Sequence, residues 1–176
     1  MRAFVAFELP DRFIDDTVRL ARQLSAAVPG RFMPAENYHI TIAFLGDIGE
    51  DDARRAIDAL DEACSGLCPI PCAATGLGKF GRASDATLWL GIAQAPALME
   101  AAACVRDRLR DQGLSFDDKP FMPHVTLARR ARIPRSGLDG LVFPEPCELT
   151  RATLFKSTLD QSGATYKPLY TVELGR

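Results

Sequence analysis

The sequence predicts a mixed helix–strand fold organised as two similar lobes, and three observations predict it. First, Asn37-Tyr38-His39-Ile40-Thr41-Ile42-Ala43-Phe44-Leu45-Gly46 alternates along its length, as a strand with one face in a core does. Second, Pro123-His124-Val125-Thr126-Leu127-Ala128 repeats that pattern 85 residues further on, and the two stretches hold the only two histidines of the chain. Third, the stretches with strand and helix periodicity follow one another as strand, helix, strand, helix, strands, then helix and strands again. An old duplication accounts for all three.

Taken in order, Ala3 to Leu9 reads as a buried strand that Pro10 ends. Asp11 suits the N-cap of a helix over about 12–28, with Phe13, Ile14, Val18, Leu20, Ala21 and Leu24 on its apolar face and Pro29-Gly30 closing it. Phe32 to Pro34 is a short extended piece before the first histidine strand. There, parity puts His39, Thr41 and Ala43 on one face and Ile40, Ile42 and Phe44 on the core face. A second helix runs from about Glu50 to Ser65, with Asp51 and Asp52 in the first turn, where the helix dipole favours them. Strands are expected around 70–79 and over 87–92. Between them lies a glycine-rich link whose Gly76-x-Gly78-x-x-Gly81 spacing imitates a dinucleotide loop. It precedes a strand and not a helix, so it lacks the helix N-terminus that would bind pyrophosphate and reads as a bulged or bent connection. A third helix over about 97–112 stops at Gly113, Phe121-Met122-Pro123 delivers the second histidine strand, and strands near 147–156 and 168–174 flank a turn at Asp160–Ala164. Residues 1–176 thus read as one domain.

A chain of 176 residues buries roughly 70% of its unfolded surface, enough for a core without metal or disulfide staples. Its net charge of −2 does not suggest a chain that coats nucleic acid through bulk charge. The charge is uneven, however. From Lys119 onward nine Lys/Arg stand against five Asp/Glu, about +4, and the remainder is about −6. Arg129-Arg130-Ala131-Arg132 concentrates cations beside the second histidine motif and suggests a local anion site. The five cysteines are an odd number, the spacing of Cys64, Cys68 and Cys72 fits no zinc knuckle, and no secretory pattern precedes the first strand. They read as reduced thiols of a cytoplasmic protein. No apolar run approaches the ~18 residues of a membrane span, and nothing requires more than a monomer.

The chemistry lies in the paired motifs. Two histidines are too few for zinc, and no carboxylate shares a strand face with either; no metal or cofactor is expected. No serine or cysteine stands in a nucleophile motif. Imidazole exchanges its proton near neutral pH, so a neutral ring can accept a proton while an imidazolium donates one. Opposed across a cleft, the two suit in-line displacement at phosphorus, with the threonine hydroxyls donating to non-bridging oxygens.

His39-x-Thr41 and His124-x-Thr126, in these longer strings, resemble the signature of the 2H phosphoesterase superfamily, and within it the RNA 2′,3′-cyclic phosphodiesterases, historically called 2′-5′ RNA ligases. Leu154-Phe155-Lys156-Ser157-Thr158-Leu159 with Gly163 and Tyr166, and the opening Arg2 to Pro10, are also similar to that family. The resemblance implies a bilobal α+β fold, each lobe an antiparallel sheet with flanking helices, and a cleft between the sheets. It implies hydrolysis of a cyclic phosphate on RNA ends or cyclic nucleotides to the 2′-phosphomonoester, with His39 as proton donor, His124 as proton acceptor, and Thr41, Thr126 and Arg129 on the phosphate. The reverse roles for the histidines, a binding module with little turnover, and reversible 2′-5′ ligation are the alternatives. Parity argues against Arg129, since Arg130 shares the face of His124; Arg129 reaches the phosphate only if the strand bulges, twists or ends near Ala128. Phe7, Tyr38 and Phe121 are the candidates for stacking on a base or ribose.

Overall fold

Arg2–Glu8 forms β1, an inner strand whose Ala3, Val5 and Phe7 are fully buried. A computed structural model describes residues 1–175 of the chain. After β1 come α1 (Asp11–Ser25), the two-residue β2 (Arg31–Phe32), a 3₁₀ turn (Ala35–Asn37) and β3 (His39–Asp47). Then follow α2 (Glu50–Cys64), β4 (Ile70–Cys72), β5 (Ala74–Arg82), β6 (Asp85–Ile92) and α3 (Pro96–Asp111). The chain ends with β7 (His124–Ala131), β8 (Cys147–Leu149), β9 (Arg151–Asp160) and β10 (Gly163–Glu173).

The fold is α+β. Two four-stranded antiparallel sheets, in the orders β10-β9-β1-β3 and β2-β7-β6-β5, each carry one histidine strand, and β4 pairs with β8 apart from them. The sheets do not cut the chain in half. The C-terminal hairpin returns to pair β9 with β1, while β2, which precedes the first histidine, pairs with β7 beside the second. One continuous apolar core, including Phe7, Phe13, Leu60, Leu98, Leu127 and Leu154, backs both sheets. Among the described residues no helix is long and apolar enough to cross a membrane.

Helix ends differ slightly from expectation. Asp11 is the first helical residue and Pro10 the cap, with no side-chain cap bond; proline's fixed φ holds the entry extended, and the acidic side chain meets the dipole inside the first turn. Gly49 caps α2, and its N–H donates to the Asp52 carboxylate at 3.3 Å. The glycine-rich link is strand throughout. Gly76 (φ 137°) sits at a bulge after Ala74, and the remainder of β5 pairs in register with β6.

Candidate active site

Both histidine strands break regular pairing at the same place. In the first sheet Ala6 lies opposite Thr41 but Val5 lies opposite Ala43, so Ile42 is an extra residue. In the second, Trp89 lies opposite Thr126 but Leu88 lies opposite Ala128, so Leu127 is extra. Each bulge inverts the parity of the residues after it. Ala43 and Ala128 therefore join the core, and Phe44 and Arg129 become exposed. The expectation that Phe44 packs in the core is thus wrong: it is 38% exposed and lines the cleft. The same device places Arg129 there. Arg130, at φ 50°, marks a second irregularity and is absent from the cleft wall.

A cavity of about 600 Å³ between the sheets is lined by His39, Thr41, His124, Thr126 and Arg129 together. The main chain orients both rings. His39 Nδ1–H donates to the Asn37 carbonyl at 2.7 Å, and His124 Nδ1–H to the Met122 carbonyl at 2.7 Å. A carbonyl only accepts, so Nδ1 holds the hydrogen in each neutral ring and Nε2 is left to exchange protons. His39 Nε2 accepts from the Thr41 hydroxyl at 2.9 Å. Asn37 is itself pinned, its side-chain amide donating to the Ala164 carbonyl at 2.8 Å, which ties the approach to the His39 strand to the start of β10.

Aromatic rings flank each imidazole. Phe4 and Tyr166 lie 4.8 and 5.3 Å from His39, and Phe80 and Trp89 lie 5.2 and 5.7 Å from His124. Two expected stacking residues are misplaced. Phe7 is 0% exposed, because it shares β1's core face with Ala3 and Val5; Tyr38 is 5% exposed, belongs to the apolar core, and borders a separate cavity together with Val18 and Ala21 of α1. Phe121 lines an adjoining cavity and not the one holding both histidines. The aromatics that do line the cleft are Phe4, Phe44, Phe80 and Tyr166. Phe44 was hidden by the bulge, Tyr166 by the return of the C-terminal hairpin, and Phe80 by the glycines around it. Among the described residues, no three His, Cys, Asp or Glu side chains are grouped to hold a metal ion.

Gly78 explains how Trp89 reaches His124. A Cβ on Gly78 would stand 2.1 Å from the indole, so only glycine lets the ring lie against β5. Gly78→Ala is expected to destabilise the protein by about 1–3 kcal/mol through overpacking and to lower turnover by displacing Trp89 from His124. Denaturant midpoints and kcat check the two effects.

Burial pushes His39 down to about 4, and the nearby His124 and Arg129 act in the same direction against the Asn37 carbonyl. The free protein therefore holds a neutral His39 above that pH. An unfolded histidine titrates near 6.5, so as pH falls the unfolded chain binds this proton first and stability falls with it. The loss sets in below pH about 6.5 and is complete below about 4, at about 3 kcal/mol. Denaturant unfolding at pH 7 and pH 4 should show that difference shrinking in His39→Gln; an unchanged difference refutes it.

The family described as LigT like Phosphoesterase matches the chain twice, over residues 7–89 and 90–166. An RNA 2′,3′-cyclic phosphodiesterase of Thermotoga maritima is 29% identical over 97% of this chain and 94% of its own length. That of Geobacillus stearothermophilus is 33% identical over 72% of the chain, which spans only 41% of that relative. Among solved structures, a Thermus thermophilus protein shares the fold at a TM-score of 0.85 and 23% identity, covering 99% of this chain and 98% of that one. E. coli LigT complexed with 3′-AMP superposes at 0.81 with 26% identity and the same coverage. Two family matches, one on each histidine strand, cover nearly the whole of a chain whose two strands share one bulge, and the chain belongs to the LigT-like 2H phosphoesterases.

Proposed function

We propose that the cleft hydrolyses the 2′,3′-cyclic phosphate of RNA ends or nucleosides to the 2′-phosphomonoester, without a metal. The observation that carries this reading is the placement of two imidazoles, each held through Nδ1 by a main-chain carbonyl, in one cavity with Arg129 and two threonines. The relatives named RNA 2′,3′-cyclic phosphodiesterase support the substrate class. His124 Nε2 accepts a proton from water as its oxygen bonds to phosphorus. The bond from phosphorus to the 3′-oxygen breaks, and His39 Nε2 donates a proton to that oxygen. Thr41, Thr126 and Arg129 hold the phosphate oxygens, where charge concentrates. The chain is read as one domain of two lobes derived by duplication, acting as a cytoplasmic monomer.

Because His39 is neutral in the free protein, its proton must arrive with the substrate. An anionic phosphate near an imidazole favours the charged form, by about 1–3 pKa units. Nitrogen-resolved NMR titration should therefore show the His39 midpoint rising when a nucleoside 2′-phosphate is bound; an unmoved midpoint assigns the donor role to His124 instead. The reaction itself is tested by incubating the protein with 2′,3′-cyclic nucleotides, with and without EDTA, and identifying the product. The 2′-phosphomonoester is expected in both cases. The 3′-isomer, no product, or loss with EDTA each defeats the reading.

A further inference from the structure

Cys72 and Cys147 form a pair that the proposed reaction leaves unused. They stand 75 positions apart in the chain. In the fold they lie directly opposite one another on β4 and β8, which make a two-stranded antiparallel ribbon apart from the two cleft sheets. Opposed residues of such a ribbon point to one face, with Cα atoms about 4.5–5.5 Å apart. That separation is inside the roughly 4.4–6.8 Å that a disulfide spans. Both thiols are free, and neither cysteine lines the cavity that holds the histidines.

The two sulfurs are not equivalent. Cys72 is buried, whereas Cys147 is half-buried and reaches solvent. The hydrogen bond between the thiols, with burial adding to it, pushes Cys72 up. The same bond holds Cys147 below the usual thiol range, against burial and the adjacent Glu148 carboxylate. Cys72 is therefore the donor, and Cys147 is the sulfur that ionises first. A partly exposed thiolate beside a second thiol supplies an attacking and a resolving sulfur in one place. The other cysteines lack this arrangement. Burial pushes Cys64 up to about 11, Cys104 Sγ donates to the Ala63 carbonyl at 3.8 Å, and Cys68 lies outside the strands.

We propose that Cys72 and Cys147 are a dithiol site that low-molecular-weight disulfides oxidise to an intramolecular disulfide. First the Cys147 thiolate bonds to one sulfur of the external disulfide, whose S–S bond breaks and whose other half leaves as a thiolate. Cys72 then loses its proton and bonds to Cys147 Sγ, expelling the second half. The two protein thiols are oxidised, and the external disulfide is reduced to two thiols that take up the two protons. The new bond closes a ring around β5, β6, α3 and β7, the segment that carries His124. It also fastens the far end of the irregular stretch 132–146, which leads into the three-residue β8. A ring of that size restricts the unfolded chain, so the oxidised protein is the more stable form.

The test incubates the folded, reduced protein with glutathione disulfide. The intact mass should fall by two hydrogens, and digestion should link the peptides that hold Cys72 and Cys147. Tm should rise by about 5–15 °C over the reduced protein, and dithiothreitol should reverse all three changes. Cys147→Ser and Cys72→Ala should each abolish the link and the rise in Tm, while Cys68→Ser and Cys104→Ser keep both. Cys147→Ser, at the half-buried position, carries the test should the buried Cys72→Ala fail to fold. No reaction, a link through another cysteine, a glutathione adduct that stays on Cys147 without ring closure, or a link that leaves Tm unmoved each overturns the proposal.

Discussion

Replacing either His39 or His124 by alanine is expected to lower kcat on a 2′,3′-cyclic nucleotide by about 10²–10⁴-fold, the contribution of one positioned acid or base. The physical basis is that neither ring has a substitute. They are the only histidines in the chain, and each is held by a main-chain carbonyl so that Nε2 is the atom left to exchange protons. In the proposed reaction the two groups act in one step, so the double variant should lose little more than the worse single variant. Turnover retained within about 10-fold in either single variant would remove that histidine from the step. Unfolding curves guard against a trivial cause, since His39 packs on Phe4 at 4.8 Å and its loss opens a gap.

Arg129→Ala is expected to cost about 10²–10³-fold, the loss of one preorganised donor at the phosphate, whereas Arg130→Ala should change kcat/KM by less than about 3-fold. The contrast depends on one extra residue. Without the bulge at Leu127 the parity of β7 would send Arg130 into the cleft and Arg129 to the core. Arg129→Lys keeps the charge but not the planar fork, and it should recover only part of the loss. Steady-state kinetics of the three variants decide the point, and equal losses at Arg129 and Arg130 refute the bulge argument.

Much of the site was legible because its chemistry is local. His39-x-Thr41 and His124-x-Thr126 each lie within three residues, so strand alternation alone puts each imidazole beside its hydroxyl. The adjacent core residues, Ile40, Ile42, Val125 and Leu127, are buried as parity requires. Beyond Ile42 and Leu127 the same rule fails. A bulge is invisible to alternation, because nothing in Ile42-Ala43-Phe44 or Leu127-Ala128-Arg129 marks one residue as extra; it is defined by the partner strand. Phe44 was misread for that reason, and Arg129 could be named only by resemblance. Phe7 and Tyr38 failed differently. Proximity to a site along the chain says nothing about the face of a strand or what packs over it.

Periods of two or 3.6 residues, each confined to one segment, account for the two histidine strands, the pairing of imidazole with hydroxyl, the three helices and the character of the core. The assembled sheets settle which aromatics meet the imidazoles, which arginine faces the cleft, and that the C-terminal hairpin completes the first sheet beside β1. Those facts depend on register between strands far apart in the chain, and register is set by packing across the sheet, which no single stretch contains.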